Sequence, residues 1–159
     1  MKTNTYLLNT LVVLLLVLWI PSSLYKIMLY EAFKSGILQQ PLSYTVAWSL
    51  IYSLPALGLV TAILLVAERF RKVGLLLSSI QLILFTGYIA LVLLQAWGKP
   101  PCSCGLAIPQ MGWTNHLWFN LFFLAISITG YLLSTKFDKK QLRQDNNTNA
   151  KDGLFNTIT

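Results

Sequence analysis

The sequence predicts an all-α integral membrane protein, a bundle of four transmembrane helices with both termini in the cytoplasm. Three observations predict it. Hydrophobic residues make up 55% of the chain and charged residues only 11%, with a mean hydropathy of +0.62; a soluble domain usually carries about 25% charged residues. The apolar residues are gathered into four runs, each long enough for a bilayer crossing, which takes about 20 residues at about 1.5 Å rise per residue. Most charges fall between and after these runs, where they can meet water.

The first span is expected over about residues 6–29, with its most apolar part at Leu11–Ile20. Pro21 lies inside it and is expected to kink the helix, a freed carbonyl being tolerable where neighbouring helices and serines can satisfy it. A cleaved signal peptide is the rival reading, with Lys2 as its charged start. No A-x-A-like site follows, and the apolar character continues beyond Pro21. Residues 30–40 mix Glu31, Lys34, Gln39 and Gln40 with Phe33, Ile37 and Leu38, and read as a short interfacial segment closed by Pro41.

The second span is expected over about residues 44–67, with Pro55 inside it. Glu68, Arg69, Arg71 and Lys72 make a very short charged turn. The third span follows over about 73–97 and is ended by Gly98-Lys99-Pro100-Pro101. A loop leads to the fourth span, about 113–133. Residues 1–135 thus form the transmembrane domain, and the polar stretch 136–159 is expected as a cytoplasmic tail without regular structure. Within the spans, Asn9, Ser53, Gln81 and Thr86 are expected to pair between helices. Ala56, Gly58, Ala62, Gly74, Ser78 and Gly87 are expected to mark close helix contacts.

Orientation follows from the distribution of Lys and Arg. With the amino terminus inside, one face holds Lys2, Arg69, Arg71, Lys72, Lys136, Lys139, Lys140 and Arg143, and the other Lys26, Lys34 and Lys99. The richer face is the cytoplasmic one. The net charge of +7 is therefore read as a topology signal facing anionic lipid. Nucleic acid is not expected as a partner, because no basic face with interleaved aromatics is present. Trp97 and Trp113 bracket the last loop as an aromatic belt would. In a bacterial inner membrane that loop faces the periplasm, an oxidising compartment.

The loop carries the two cysteines of the chain, in Pro100-Pro101-Cys102-Ser103-Cys104-Gly105. Two residues extend over at most about 7 Å, and a disulfide takes a Cα separation of about 4.4–6.8 Å, so a Cys-x-Cys ring can close but is tight. Strained, exposed disulfides tend to be oxidising and labile, which suits thiol exchange. Gly105 can adopt a positive φ and the prolines stiffen the approach. His116 and the start of the fourth helix would favour a thiolate if the loop folds back on them. The same pair with His116 and Met111 offers ligands for Cu(I) or Zn(II), although the spacing matches no strong zinc pattern. A purely structural oxidised turn is the third reading. His116 and Asn120 stand at i, i+4 and share one helix face with a polar patch that includes Trp113 and Thr114. No phosphate-binding glycine loop, H-E-x-x-H, nucleophile elbow or dinucleotide fingerprint occurs.

Taken together, Pro-Cys-Ser-Cys-Gly at 101–105 followed by Trp113, His116 and Asn120 resembles the MauE branch of the MauE/DoxX-like bacterial membrane proteins. Tyr25-Lys26, Phe33, Leu54-Pro55 and Phe85-Thr86-Gly87-Tyr88 match as well, and the resemblance covers about residues 6–135. The chain departs from the pattern at Leu106, where a second Gly is common, and at Ala56-Leu57-Gly58, where a Glu is common. The resemblance implies a role in maturation of a disulfide-rich protein of the methylamine dehydrogenase type, together with a thioredoxin-like periplasmic partner. It implies Cys102 and Cys104 as the redox pair and His116, Trp113 and Asn120 as site residues. By analogy with other four-helix membrane thiol oxidoreductases, a quinone in the bundle would exchange electrons with the pair; no residue of the sequence points to one directly.

Overall fold

The computed structural model describes residues 2–40, 42–94 and 112–155, with side chains placed over 6–40, 42–94 and 112–136. Among these residues the chain forms α1 (Lys2–Met28), α2 (Tyr30–Leu38), α3 (Tyr44–Val66), a 3-10 turn (Glu68–Phe70), α4 (Arg71–Leu93) and α5 (Trp113–Phe155). Four stretches are long and apolar enough to cross a membrane: Tyr6–Met28, Tyr44–Val66, Glu68–Leu93 and Trp113–Lys136. The expected four-helix membrane bundle is what the chain forms. The cysteine loop, with Trp97 and Met111, lies outside the described residues.

Each span buries one stripe. In α1 it is Leu8, Val12, Leu15, Trp19 and Ser23. In α5 it is His116, Asn120, Phe123, Ser127, Gly130 and Ser134. Steps of three and four residues keep such side chains on one helix face. The opposite faces are apolar too: Val13, Val17, Ile63, Leu84 and Leu132 are exposed. In water this would be an aggregation hazard, whereas in a bilayer it is the lipid-facing wall. The helices pack in the cyclic order α1, α3, α4, α5 and back to α1.

Short polar ties hold the ring. Trp19 Nε1 on α1 donates to Ser78 Oγ on α4 at 2.9 Å, deep in the bundle. Ser79 and Ser127 hydroxyls meet at 2.9 Å between α4 and α5, and each also lies within 3.0 Å of the Leu75 carbonyl. Two hydroxyl protons serve these three contacts, so two are satisfied at a time. Thr61 Oγ1 reaches Gln81 Oε1 at 3.3 Å between α3 and α4. Arg71 Nη1 donates to Asn9 Oδ1 at 3.0 Å and its Nε to the Leu65 carbonyl at 3.4 Å, tying α1, the end of α3 and the start of α4 at one end of the bundle. The close α3–α4 turn needs Gly74, where an added Cβ would stand 2.9 Å from Leu65 N.

Several expectations are refined. The segment after the first span is a helix, α2, because Phe33 and Ile37 bury themselves against Ala47 and Ile51 of α3. The helix α5 runs on to Phe155, through the polar stretch expected without regular structure. Extending an existing helix avoids the nucleation cost, and the Lys, Gln, Leu and Arg at 139–144 are good helix formers. Gly58, Ala62, Gly74 and Ser78 are buried at helix contacts as expected, but Ala56 and Gly87 face outward. Asn9 and Gln81 pair between helices; Thr86 instead donates to Leu82 O of its own helix at 2.6 Å.

Candidate functional site

The ring of spans is not filled throughout. At the Arg71 end the interior is packed by Leu8, Val12, Leu15, Leu65, Leu75, Phe123 and Ile126. Towards the opposite end, where α2 lies, the helices border a partly open cavity of about 370 Å³. Its walls come from the second half of α1 (Leu18 to Lys26), from α2 (Phe33, Ile37), from the first half of α3 (Leu50 to Leu57), from the second half of α4 (Gln81 to Ile89) and from the first turns of α5 (Trp113 to Asn120).

The lining is mainly aliphatic and aromatic, with a few polar groups set into it. Lys26 brings the one ammonium among the described lining residues; its Nζ donates to Ser22 Oγ at 2.6 Å and to the Ser22 carbonyl at 3.1 Å, and lies 6.0 Å from the centre of the Phe33 ring. Tyr88 OH donates to Gln40 Oε1, and Gln40 Nε2 donates to the Gly36 carbonyl at 3.1 Å. These bonds fasten the α2 connection to α4 and form part of the cavity wall.

Three lining side chains each leave one polar atom without a partner among the described residues. Gln81 Nε2, His116 Nδ1 and Asn120 Nδ2 are buried and find no hydrogen-bond partner among the described residues. Their residues are only 7%, 9% and 5% exposed. Buried polar atoms are nearly always satisfied, so three unsatisfied ones on side chains that line one cavity are exceptional. His116 is held by its position in the first turn of α5, where its N–H reaches the Gly112 carbonyl at 3.0 Å, and by stacking near Phe119 at 6.2 Å. Asn120 follows one turn later on the same face. Chemically, the cavity can hold a mostly apolar molecule.

Three site residues expected from the sequence, Trp113, His116 and Asn120, are brought together here. Cys102 and Cys104 lie outside the described residues; their loop joins the end of α4 to the start of α5, the two helix ends that contribute Ile89 and Trp113 to the cavity. Among the described residues no group of three or more His, Cys, Asp or Glu side chains stands close enough to hold a metal ion. Sequence reasoning did not place Lys26, Gln40 or Tyr88 in a common site, and it read Gln81 as a helix-pairing residue only. A signal was nevertheless present. Lys26, Phe33, Leu54, Phe85 and Tyr88, scattered over four helices and quoted above for the family resemblance, all line this one cavity.

The family described as "Methylamine utilisation protein MauE" matches the chain over residues 4–133. That range takes in all four membrane-spanning stretches up to Leu133 and the cysteine loop. No curated protein and no solved structure matches the chain.

Proposed function

The chain belongs to the MauE family, and on that premise we propose that it carries out thiol–disulfide exchange on the periplasmic face of the bacterial inner membrane, through Cys102 and Cys104, in the disulfide-dependent maturation of a periplasmic protein. The observation that carries the reading is the Cys-Ser-Cys pair itself. It lies within the matched range, on the connection whose two flanking helices line the cavity. The charge distribution supports the periplasmic placement, since the α2 end of the bundle is the end poorer in Lys and Arg.

The exchange runs through a mixed disulfide. A thiolate of the pair attacks the disulfide of a thioredoxin-like partner, one sulfur–sulfur bond forms and one breaks, and a partner thiolate leaves. The second cysteine then attacks the mixed disulfide, closes the Cys102–Cys104 bond and releases the partner as a dithiol. Run in reverse, the same steps oxidise the partner. His116, at the start of α5, is the ionisable group this chain offers for holding a thiol proton near that loop.

Membranes containing the full-length protein, equilibrated in glutathione buffers and alkylated with a mass-shifting maleimide, test the reading. We expect a reversible two-electron transition of the pair, and trapping of a mixed disulfide when Cys104→Ser or Cys102→Ser leaves one thiol free. A pair locked as a disulfide across the whole range, or a reduced pair that retains stoichiometric copper or zinc, would replace exchange with a structural or metal-binding turn.

A further inference from the structure

Lys26 carries a charge that no described residue balances. It stands in the last turn of α1, inside a membrane-spanning stretch, and is half-buried. A lysine near the end of a span can reach along its stem towards water. Lys26 folds back instead: its Nζ bonds Ser22 Oγ at 2.6 Å and the Ser22 carbonyl at 3.1 Å, one turn deeper along α1. There it lies beside the Phe33 ring, and Ser22, Lys26 and Phe33 all line the cavity. Ser22 takes up two of the three ammonium protons and offers no countercharge.

The carboxylates of the chain are engaged or placed elsewhere. They are Glu31, Glu68, Asp138, Asp145 and Asp152. Glu31 turns to Lys34 at 3.7 Å with its side chain 82% exposed, and Glu68 meets Arg71 at 3.7 Å at the opposite end of the bundle. The aspartates follow the membrane-spanning part of α5, which starts at the cavity with Trp113 and ends at Lys136. A charge taken out of water is costly unless it is paired, and ionisable groups at membrane depth commonly mark function.

The rest of the cavity describes what would bring the missing charge. Beyond Lys26 its wall continues over aliphatic side chains, Leu18, Leu54, Leu57 and Leu82 among them. One positive group near the end of the bundle, with apolar walls deeper in, suits a molecule with an anionic head and an apolar tail. Its volume, about 370 Å³, lies near the lower end of the range for small-molecule sites and favours one chain over two. A single ammonium matches a single carboxylate, whereas phosphate groups are met by clustered Arg and Lys.

We propose that the cavity holds a long-chain fatty acid, its carboxylate paired with the Lys26 ammonium and its acyl chain laid along the aliphatic walls. The spans present exposed apolar side chains to lipid, so a ligand that already lives in the bilayer has a short way in. Neither cysteine takes part, and the site stands apart from the exchange reading above.

Full-length protein in phosphatidylcholine nanodiscs, illuminated with a diazirine analogue of palmitic acid, tests the site, with labelling read by intact mass and peptide mapping. We expect saturable labelling of peptides that line the cavity, displaced by palmitate. Methyl palmitate, the same chain without the charge, should displace about tenfold less well or worse, as the loss of one charge-assisted hydrogen bond requires. Lys26→Met should weaken labelling to the same degree, Lys26→Arg should keep it, and the Cys102→Ser/Cys104→Ser double variant should label as wild type does. Labelling that does not saturate, equal displacement by palmitate and its methyl ester, or stronger displacement by lysophosphatidic acid than by palmitate overturns the proposal. A double cysteine variant that binds palmitate much more tightly than wild type would make a thiolate the native countercharge, and overturns it as well. If Lys26→Met fails to fold, the comparison of palmitate with methyl palmitate on the wild type decides. Palmitate binding by the cysteine-free variant keeps the site even where the thiol titration fails. A thiol pair that cycles without palmitate binding removes the site alone.

Discussion

At the scale of single residues, the bundle depends on a few buried polar bonds whose loss has unequal consequences. Trp19 Nε1 donates to Ser78 Oγ at 2.9 Å across the interior. Interhelical hydrogen bonds in membranes are worth about 0.6 kcal/mol on average, reaching about 1.7 kcal/mol. Ser78→Ala strands the indole N–H in an apolar interior, so its cost belongs near the upper value: we expect about 1–2 kcal/mol, read from unfolding midpoints in mixed micelles. Trp19→Phe removes the donor, leaving a hydroxyl that can turn to its own helix carbonyl. It also opens space beside the cavity that Trp19 lines. The Ser78→Ala effect should therefore shrink sharply in a Trp19→Phe background, and purely additive effects would show that the bond contributes nothing.

At the scale of elements, two glycines of α4 answer opposite questions. Gly74 stands where α4 turns back along α3, and an added Cβ would meet backbone, Leu65 N at 2.9 Å and Leu64 C at 3.0 Å. Backbone cannot rotate away as a side-chain tip can, so Gly74→Ala should splay the α3–α4 hairpin and cost about 1–3 kcal/mol. Gly87 lies on the exposed face with nothing within 4 Å of the same built atom. There the substitution only removes backbone freedom, and Gly87→Ala should stabilise the protein by about 0.5–1 kcal/mol. Thermal melts of both variants in one detergent check the pair, and equal effects would contradict the packing described. The helix α2 matters in another way. It places Phe33 and Ile37 on the cavity wall, and the connection that follows it is held to α4 by the Tyr88–Gln40 bond. Tyr88→Phe should thus loosen that wall, seen as faster amide exchange in residues 30–40 with the spans unchanged.

At the scale of the whole molecule, charge and hydropathy act together. The 3-10 turn Glu68–Phe70 joins α3 to α4, and with Arg69, Arg71 and Lys72 it carries a cluster of positive charge to one end of the bundle. The four spans return the chain to the side on which it began. Alkaline phosphatase, active only outside the cytoplasm, should be inactive when fused after Arg71 or Thr135 and active when fused after Lys99. The reverse pattern would place the cysteine loop in a reducing compartment and remove the ground for the exchange reading.

The count of spans, their approximate ends and the polar face at the start of the last helix were legible in the sequence, because each is local. A run of apolar residues declares its length, and His116 and Asn120 stand out against the apolar residues around them. Which face of each span turns inward was not legible. In a soluble helix the polar side names the outside, whereas here the lipid-facing and core-facing sides are equally apolar. That is why Ala56 and Gly87 read like Gly58 and Gly74 in sequence and point the other way in the fold. The cavity belongs to the same class of fact. Lys26, Phe33, Leu54, Gln81, Tyr88 and Asn120 lie far apart along the chain, and only the closed packing of α1, α3, α4 and α5 sets them around one space. A cavity is volume that neighbouring helices leave unfilled, and no single segment carries it.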